Sequence, residues 1–127
     1  MRTSFILAAI LTSAAAPVLA SQHCSIHPEK GMSDSQLAGL AKLSQVEAEK
    51  IAVAKLKSSK PVSTTSAELE AEHGCLIWSF DLRVPGKSGI EEIQVDAGNG
   101  KVLSVKHESV RAEKSEMRNE AKATPQK

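Results

Sequence analysis

Cys75-Leu76-Ile77-Trp78-Ser79-Phe80-Asp81-Leu82-Arg83-Val84 alternates with a period of two. Successive side chains of an extended chain point to opposite faces. Leu76, Trp78, Phe80, Leu82 and Val84 therefore share one face, and Cys75, Ile77, Ser79, Asp81 and Arg83 the other. The first face holds the only Trp and one of the two Phe of a chain that has no Tyr. This strand carries the main core face of whatever domain forms.

Working outward, Ala67, Leu69 and Ala71 alternate with Glu68, Glu70 and Glu72, which reads as a half-buried strand just before it. Pro85-Gly86-Lys87-Ser88-Gly89 is a turn cluster, Ile90 to Val95 resumes the alternation, and Asn99-Gly100 signals a hairpin into Lys101 to Val105. Further upstream, Ser44-Gln45-Val46-Glu47 is a capping box. Ala48, Ile51, Ala52 and Leu56 then follow helical spacing and make one apolar stripe. Ser58-Ser59-Lys60-Pro61 ends this helix, because proline has no amide hydrogen and the residue before it avoids helical angles. A helix of about 15 residues is roughly 22 Å long, close to the ~26 Å of an eight-residue strand, so one helix can cover one face of the sheet. The expected fold is α+β, with one main helix on one face of a small antiparallel sheet of three to four strands.

The rest of the chain is organised around that domain. Its 127 residues exclude a multidomain enzyme, and 16 basic against 15 acidic residues give no basic excess for nucleic-acid binding. Residues 1–20 read as an export signal: Arg2 precedes an apolar run from Phe5 to Leu19, and Val18-Leu19-Ala20 is a small-x-small site with cleavage after Ala20. The run is shorter than the roughly 20 apolar residues of a spanning helix, and Ser21-Gln22-His23 before Cys24 is no lipobox. The mature product is expected to be soluble, formally neutral and periplasmic, or secreted from a bacterium with a single membrane. Two cysteines in an oxidising compartment imply one bridge, Cys24 to Cys75, which fastens an N-terminal extension, residues 21–42. Within that extension Ser33-Asp34-Ser35-Gln36 is a second capping box, opening a short helix over 34–42 that Gly39 weakens. Residues 108–127 are charged, with only Val110 and Met117 as apolar anchors, and read as a solvated, disordered tail.

Within residues 43–107 lie Leu43-Ser44-x-x-x-Ala48-x-x-Ile51-Ala52, Ala67-Glu68-Leu69-Glu70 and Ile77-Trp78-Ser79-Phe80-Asp81-Leu82, and then Glu92-Ile93-Gln94-Val95-Asp96-Ala97-x-x-Gly100-Lys101-Val102. This succession resembles the PepSY domain, the peptidase-propeptide-and-YpeB module found in propeptides of thermolysin-type metalloproteases and as stand-alone exported proteins. The resemblance implies a helix packed on a small antiparallel sheet and a noncatalytic role in binding or restraining a peptidase. The chain departs from the family pattern at Asn99, where Thr is frequent, and at Lys60-Pro61, where the family has Gly-Pro or Pro-Gly. The Asp96, Asn99, Gly100 motif has a structural reading without any ligand: Asp96 accepts from turn amides and Gly100 supplies a positive φ.

No catalytic motif appears: there is no Gly-x-Ser-x-Gly, no His-Glu-x-x-His and no phosphate loop. Glu68, Glu70, Glu72, Asp81, Arg83, Glu92 and Asp96 all fall on the outer sheet face, where mixed charges read as a solvated surface. Two metal arrangements are conceivable. A mature N-terminus Ser21-Gln22-His23 can wrap Cu(II) or Ni(II) through the terminal amine, two amides and the imidazole. His23, Cys24 and His27, with His73 or Cys75, make a Zn or Cu(I) set only if the thiols are reduced. The leading expectation is a protein without catalytic residues or obligatory cofactor whose partner is another polypeptide, such as a peptidase.

Overall fold

The structure is a computed structural model that describes residues 23–111 together with Lys114 and Arg118. The signal reading of residues 1–20, and Ser21 and Gln22 with it, lies outside the described residues, as does most of the tail. Two helices precede four strands: α1 (Asp34–Leu40), α2 (Gln45–Lys55), β1 (Ser63–Glu72), β2 (Cys75–Arg83), β3 (Ile90–Asp96) and β4 (Val102–Glu108). Every strand pairs antiparallel with the next, so the sheet order is β1-β2-β3-β4. Among the described residues no helix is long and apolar enough to cross a membrane.

Both helices start where their capping boxes place them. The Ser44 amide donates to Glu47 Oε2 at 2.8 Å and the Glu47 amide donates back to Ser44 Oγ at 3.3 Å. Ser33 and Gln36 repeat the exchange at 2.8 and 3.4 Å. The end of α2 differs from the expected one. Lys57 takes a left-handed conformation at φ 49°, so the helix stops at Lys55, well short of Pro61. That stop is usually written with glycine, and a lysine carries no such signal.

Ala48 and Ala52, fully buried, press α2 onto Phe80, Leu82, Ile93 and Val95, with Ile51, Leu56, Val62, Ala67 and Val102 around them. The two alanines are what allow α2 to lie close to the strands. A second cluster joins Leu37 of α1 to Leu76 and Ala97, flanked by Ile26, Met32, Ala41 and Leu69. Trp78 touches both clusters. Its indole Nε1–H donates to the Leu43 carbonyl at 3.0 Å, so its polar edge is satisfied at the joint between the helices.

Strand limits shift from those expected. β1 begins at Ser63, four residues early, because Ser63-Thr64-Thr65-Ser66 has no polarity alternation to read and its register slips between Thr64 and Ser66. His73 and Gly74, at φ 50° and 79°, form a two-residue connection between Glu72 and Cys75, which pair directly. Two positive φ values suit the right-handed twist of the flanking strands. Asn99-Gly100 does turn the chain, but inside a longer connection running from Ala97 to Lys101.

Candidate functional site

Three features concentrate the chemistry of the chain: the turn after β3, the bridge at the start of β2, and the outer margin of β1.

The turn is built on Asp96, which is fully buried although its alternation places it on the outer face. The expectation of a uniformly solvated outer face therefore fails at this end, where Ile77, Gln94 and Asp96 are buried. The reason at Asp96 is that the N-terminal extension crosses the end of the sheet. The Ser25 amide donates to Asp96 Oδ2 at 2.7 Å and the Ser25 hydroxyl to Oδ1 at 2.6 Å. Oδ1 also accepts from the amides of Gly98 at 2.8 Å and Asn99 at 3.2 Å. Burial alone would raise the Asp96 pKa, but the bonds from Ser25, Gly98 and Asn99 outweigh it and hold the carboxyl below the ordinary aspartate value. Asn99 Oδ1 accepts from the Lys101 amide at 2.9 Å, and the Ala97 carbonyl accepts from the amides of Lys42 and Leu43, both at 3.0 Å. Gly100, at φ 77°, sits under Ile51 and Leu43. The Asp96–Gly100 turn, with Ala97, thus ties three separate segments together: the N-terminal extension, the link between the helices, and the β3–β4 hairpin. Among the described residues Asp96 is the one fully buried carboxylate, and its partners are backbone amides and a serine.

Cys24 and Cys75 are joined, with Cα atoms 5.8 Å apart and 51 positions between them. Cys75 is buried and Cys24 half-buried. Beyond the bridge the extension passes round the sheet end to its helix side, where the Ile26 carbonyl accepts from the Leu76 amide at 3.0 Å and the Ile26 side chain joins the Leu37 cluster. His27 stays exposed beside the sulfurs. Its Nδ1–H donates to the Gly74 carbonyl at 3.0 Å, and Nδ1 is 3.6 Å from Cys24 Sγ. The ligand atoms of Cys24, His27 and Cys75 all lie within 4.8 Å of one another. Of the other histidines, His23 is exposed, His73 faces Glu72 at 3.3 Å and His107 faces Glu91 at 2.9 Å.

β1, ten residues long, is an outermost strand of the sheet. Along it lies an open groove of about 530 Å3 bounded by Asp34 and Ala38 of α1 and by Glu68, Leu69, Glu70 and Trp78. At the margin of the groove Glu70 is pushed above the ordinary glutamate value, first by burial and then by the charges of Glu72 and Glu68. Gln94 Nε2 donates to Glu72 at 2.7 Å and to Glu92 at 3.2 Å, which offsets part of that crowding.

Sequence reasoning placed the bridge and the turn motif but missed Ser25 as the partner of Asp96. No local signal marks a serine in a polar extension as the ligand of a carboxylate 71 positions away. The groove beside β1 was equally unreadable, since it depends on where α1 comes to rest. Compared with curated proteins and with solved structures, the chain returns no match. Compared with protein families, residues 42–106 match the peptidase propeptide and YPEB domain. That stretch covers half of the chain and contains the α2 helix, all but the last two residues of the four strands and the Asp96 turn, so the protein belongs to the PepSY family.

Proposed function

We propose that this is a noncatalytic, exported PepSY protein that binds another polypeptide, in the manner of a peptidase-restraining module, by laying an extended segment of it along β1. The observation that carries the reading is the outer margin of β1: a ten-residue strand with backbone groups turned away from the sheet and a groove alongside. Main-chain hydrogen bonds to such an edge give affinity, and the adjoining pocket selects alternate side chains. Leu69 and Trp78 offer the groove an apolar floor, while Asp34, Glu68 and Glu70 favour a partner segment carrying lysine or arginine. Family membership supports a peptidase as the partner. The signal-like residues 1–20 and the bridge support a periplasmic or extracellular setting.

Ala38, exposed on α1, gives a clean test, because Ala38→Trp fills the groove without touching the core. Bridged protein used as bait in the envelope fraction should enrich a peptidase and slow its cleavage of a peptide substrate, and Ala38→Trp should lose both effects at an unchanged melting temperature. Equal enrichment by the two baits, or none by either, removes the reading.

A second proposal stands apart from the first. The exposed His23 remains available to a mature Ser21-Gln22-His23 terminus for Cu(II) or Ni(II), and the visible band of the Cu(II) adduct should vanish in His23→Ala.

A further inference from the structure

The bridge and His27 form a convergence that polypeptide binding does not use. Two sulfurs and an imidazole whose ligand atoms all fall within 4.8 Å are a ready-made donor set, and they come from three separate places in the chain: the extension before and after Ile26, and the first residue of β2. In the bridged protein the sulfurs are bonded to each other and offer no thiolate. We propose that reduction of the Cys24–Cys75 bridge converts this cluster into a site for a thiophilic d10 cation, Zn(II) or Cu(I), bound by both thiolates and by His27.

The chemistry balances with a dithiol as the reductant. Its two sulfurs become a disulfide, the protein disulfide takes up two electrons and two protons as a pair of thiols, and metal binding then releases those two protons to solvent. Soft thiolate ligands select Zn(II) and Cu(I) over the harder divalent ions, and imidazole suits both. Zn–S bonds of about 2.3 Å place two sulfurs roughly 3.8 Å apart. Cα atoms 5.8 Å apart leave that separation within reach of side-chain rotation. The nitrogen that converges on the sulfurs is His27 Nδ1, 3.6 Å from Cys24 Sγ, so metal binding exchanges its bond to the Gly74 carbonyl for the metal and leaves the proton on Nε2. The site has three protein ligands and an exposed side at His27, so a fourth position stays open to water or to a small exchangeable ligand.

The consequence is that the extension has two alternative fasteners at one point. Oxidised, Cys24 is held to Cys75 by a covalent bond; reduced, it is held by a metal. Ser25 and Ile26, whose bonds to Asp96 and Leu76 depend on that anchorage, keep their places in both states.

The test is a titration of the phosphine-reduced protein with Zn(II), and with Co(II) as a spectroscopic substitute, followed by far-UV circular dichroism. Carrying His23→Ala throughout removes the other histidine of the extension. The expected result is one equivalent taken up by the reduced protein, thiolate-to-Co(II) absorption, none by the bridged protein, and an affinity at least about tenfold weaker in His27→Ala. If reduction unfolds the chain, Zn(II) should restore its dichroism. A reduced protein that takes up no metal, whether folded or left unfolded by Zn(II), overturns the site. Uptake unchanged in His27→Ala overturns the three-residue assignment. Neither result bears on the β1 groove, which is tested with the bridge intact.

Discussion

Ser25 takes both carboxylate oxygens of Asp96 at once, its amide reaching Oδ2 at 2.7 Å and its hydroxyl Oδ1 at 2.6 Å across 71 positions of sequence. A charged acceptor with four donors and no exposure is worth more than its separate bonds, because removing the charge leaves buried donors unpaired. Replacing Asp96 by Asn keeps one acceptor oxygen and turns an NH2 group toward donors. The variant should lose about 2–4 kcal/mol in urea unfolding followed by Trp78 fluorescence. An unchanged midpoint would mean that the turn is held by something else.

The same carboxylate sets an acid limb. Its folded pKa is lowered, so the unfolded chain binds the proton more readily, and stability is present above the ordinary value of 3.8 and lost as the pH falls through the folded value. Wild-type protein should therefore lose stability below about pH 4 more steeply than Asp96→Asn, in which the lowered carboxyl of Glu47 still contributes an acid fall.

Glu70 acts in the opposite sense. Burial and the neighbouring Glu72 and Glu68 raise its pKa above 4.5, so the folded state binds the proton more readily and its ionisation costs stability as the pH rises through that raised value. Glu70→Gln should gain no more than roughly 0.2–1 kcal/mol at pH 7, the range for solvent-screened charge pairs. Thermal melts from pH 7 to 4.5 should converge with wild type at the acid end. A variant less stable than wild type at pH 7 would contradict this account.

Gly100 is held at φ 77°, and a Cβ there would come within 2.8 Å of Ile51 Cδ1 and 3.3 Å of Leu43 Cδ1. Gly100→Ala meets the left-handed penalty of about 1–2 kcal/mol and must also displace the side chains of Ile51 in α2 and Leu43 just before it. The expected loss is about 2 kcal/mol or more in the urea midpoint, with the disulfide still formed by intact mass. A neutral substitution would show that the turn relaxes freely.

Trp78→Phe removes the donor to the Leu43 carbonyl at the joint of the two clusters. A lost hydrogen bond and the smaller ring together should cost about 1–3 kcal/mol by calorimetry. A melting temperature equal to that of wild type would place the indole outside the joint.

Much of this architecture was legible because its signals are local. The capping boxes at Ser33 and Ser44 fix where the helices start, and the alternation from Leu76 to Leu82 fixes the core face. What was not legible depends on distant segments meeting. Ile77 and Asp96 lie on the face opposite α2, and a period-two pattern assigns that face to solvent. The N-terminal extension has no periodicity to announce that Ser25 crosses the sheet end. The early stop of α2 at Lys55 was hidden for a related reason, since a lysine in the left-handed region gives no warning in sequence. Cysteine count named the bridge, but only the hairpin at His73-Gly74 brings the Gly74 carbonyl and His27 together beside it.

The strictly sequential strand order has a kinetic consequence. Each of the three hairpins closes through a short connection, so each strand pairing costs little loop-closure entropy. The two fastenings of the extension span 51 and 71 positions and gain nothing until their targets on β2 and β3 exist. Refolding should accordingly proceed in two separable phases, with Trp78 reaching its final emission while Cys24 is still open to alkylation. Bridge formation then serves as the molecule's own record that the sheet was already complete.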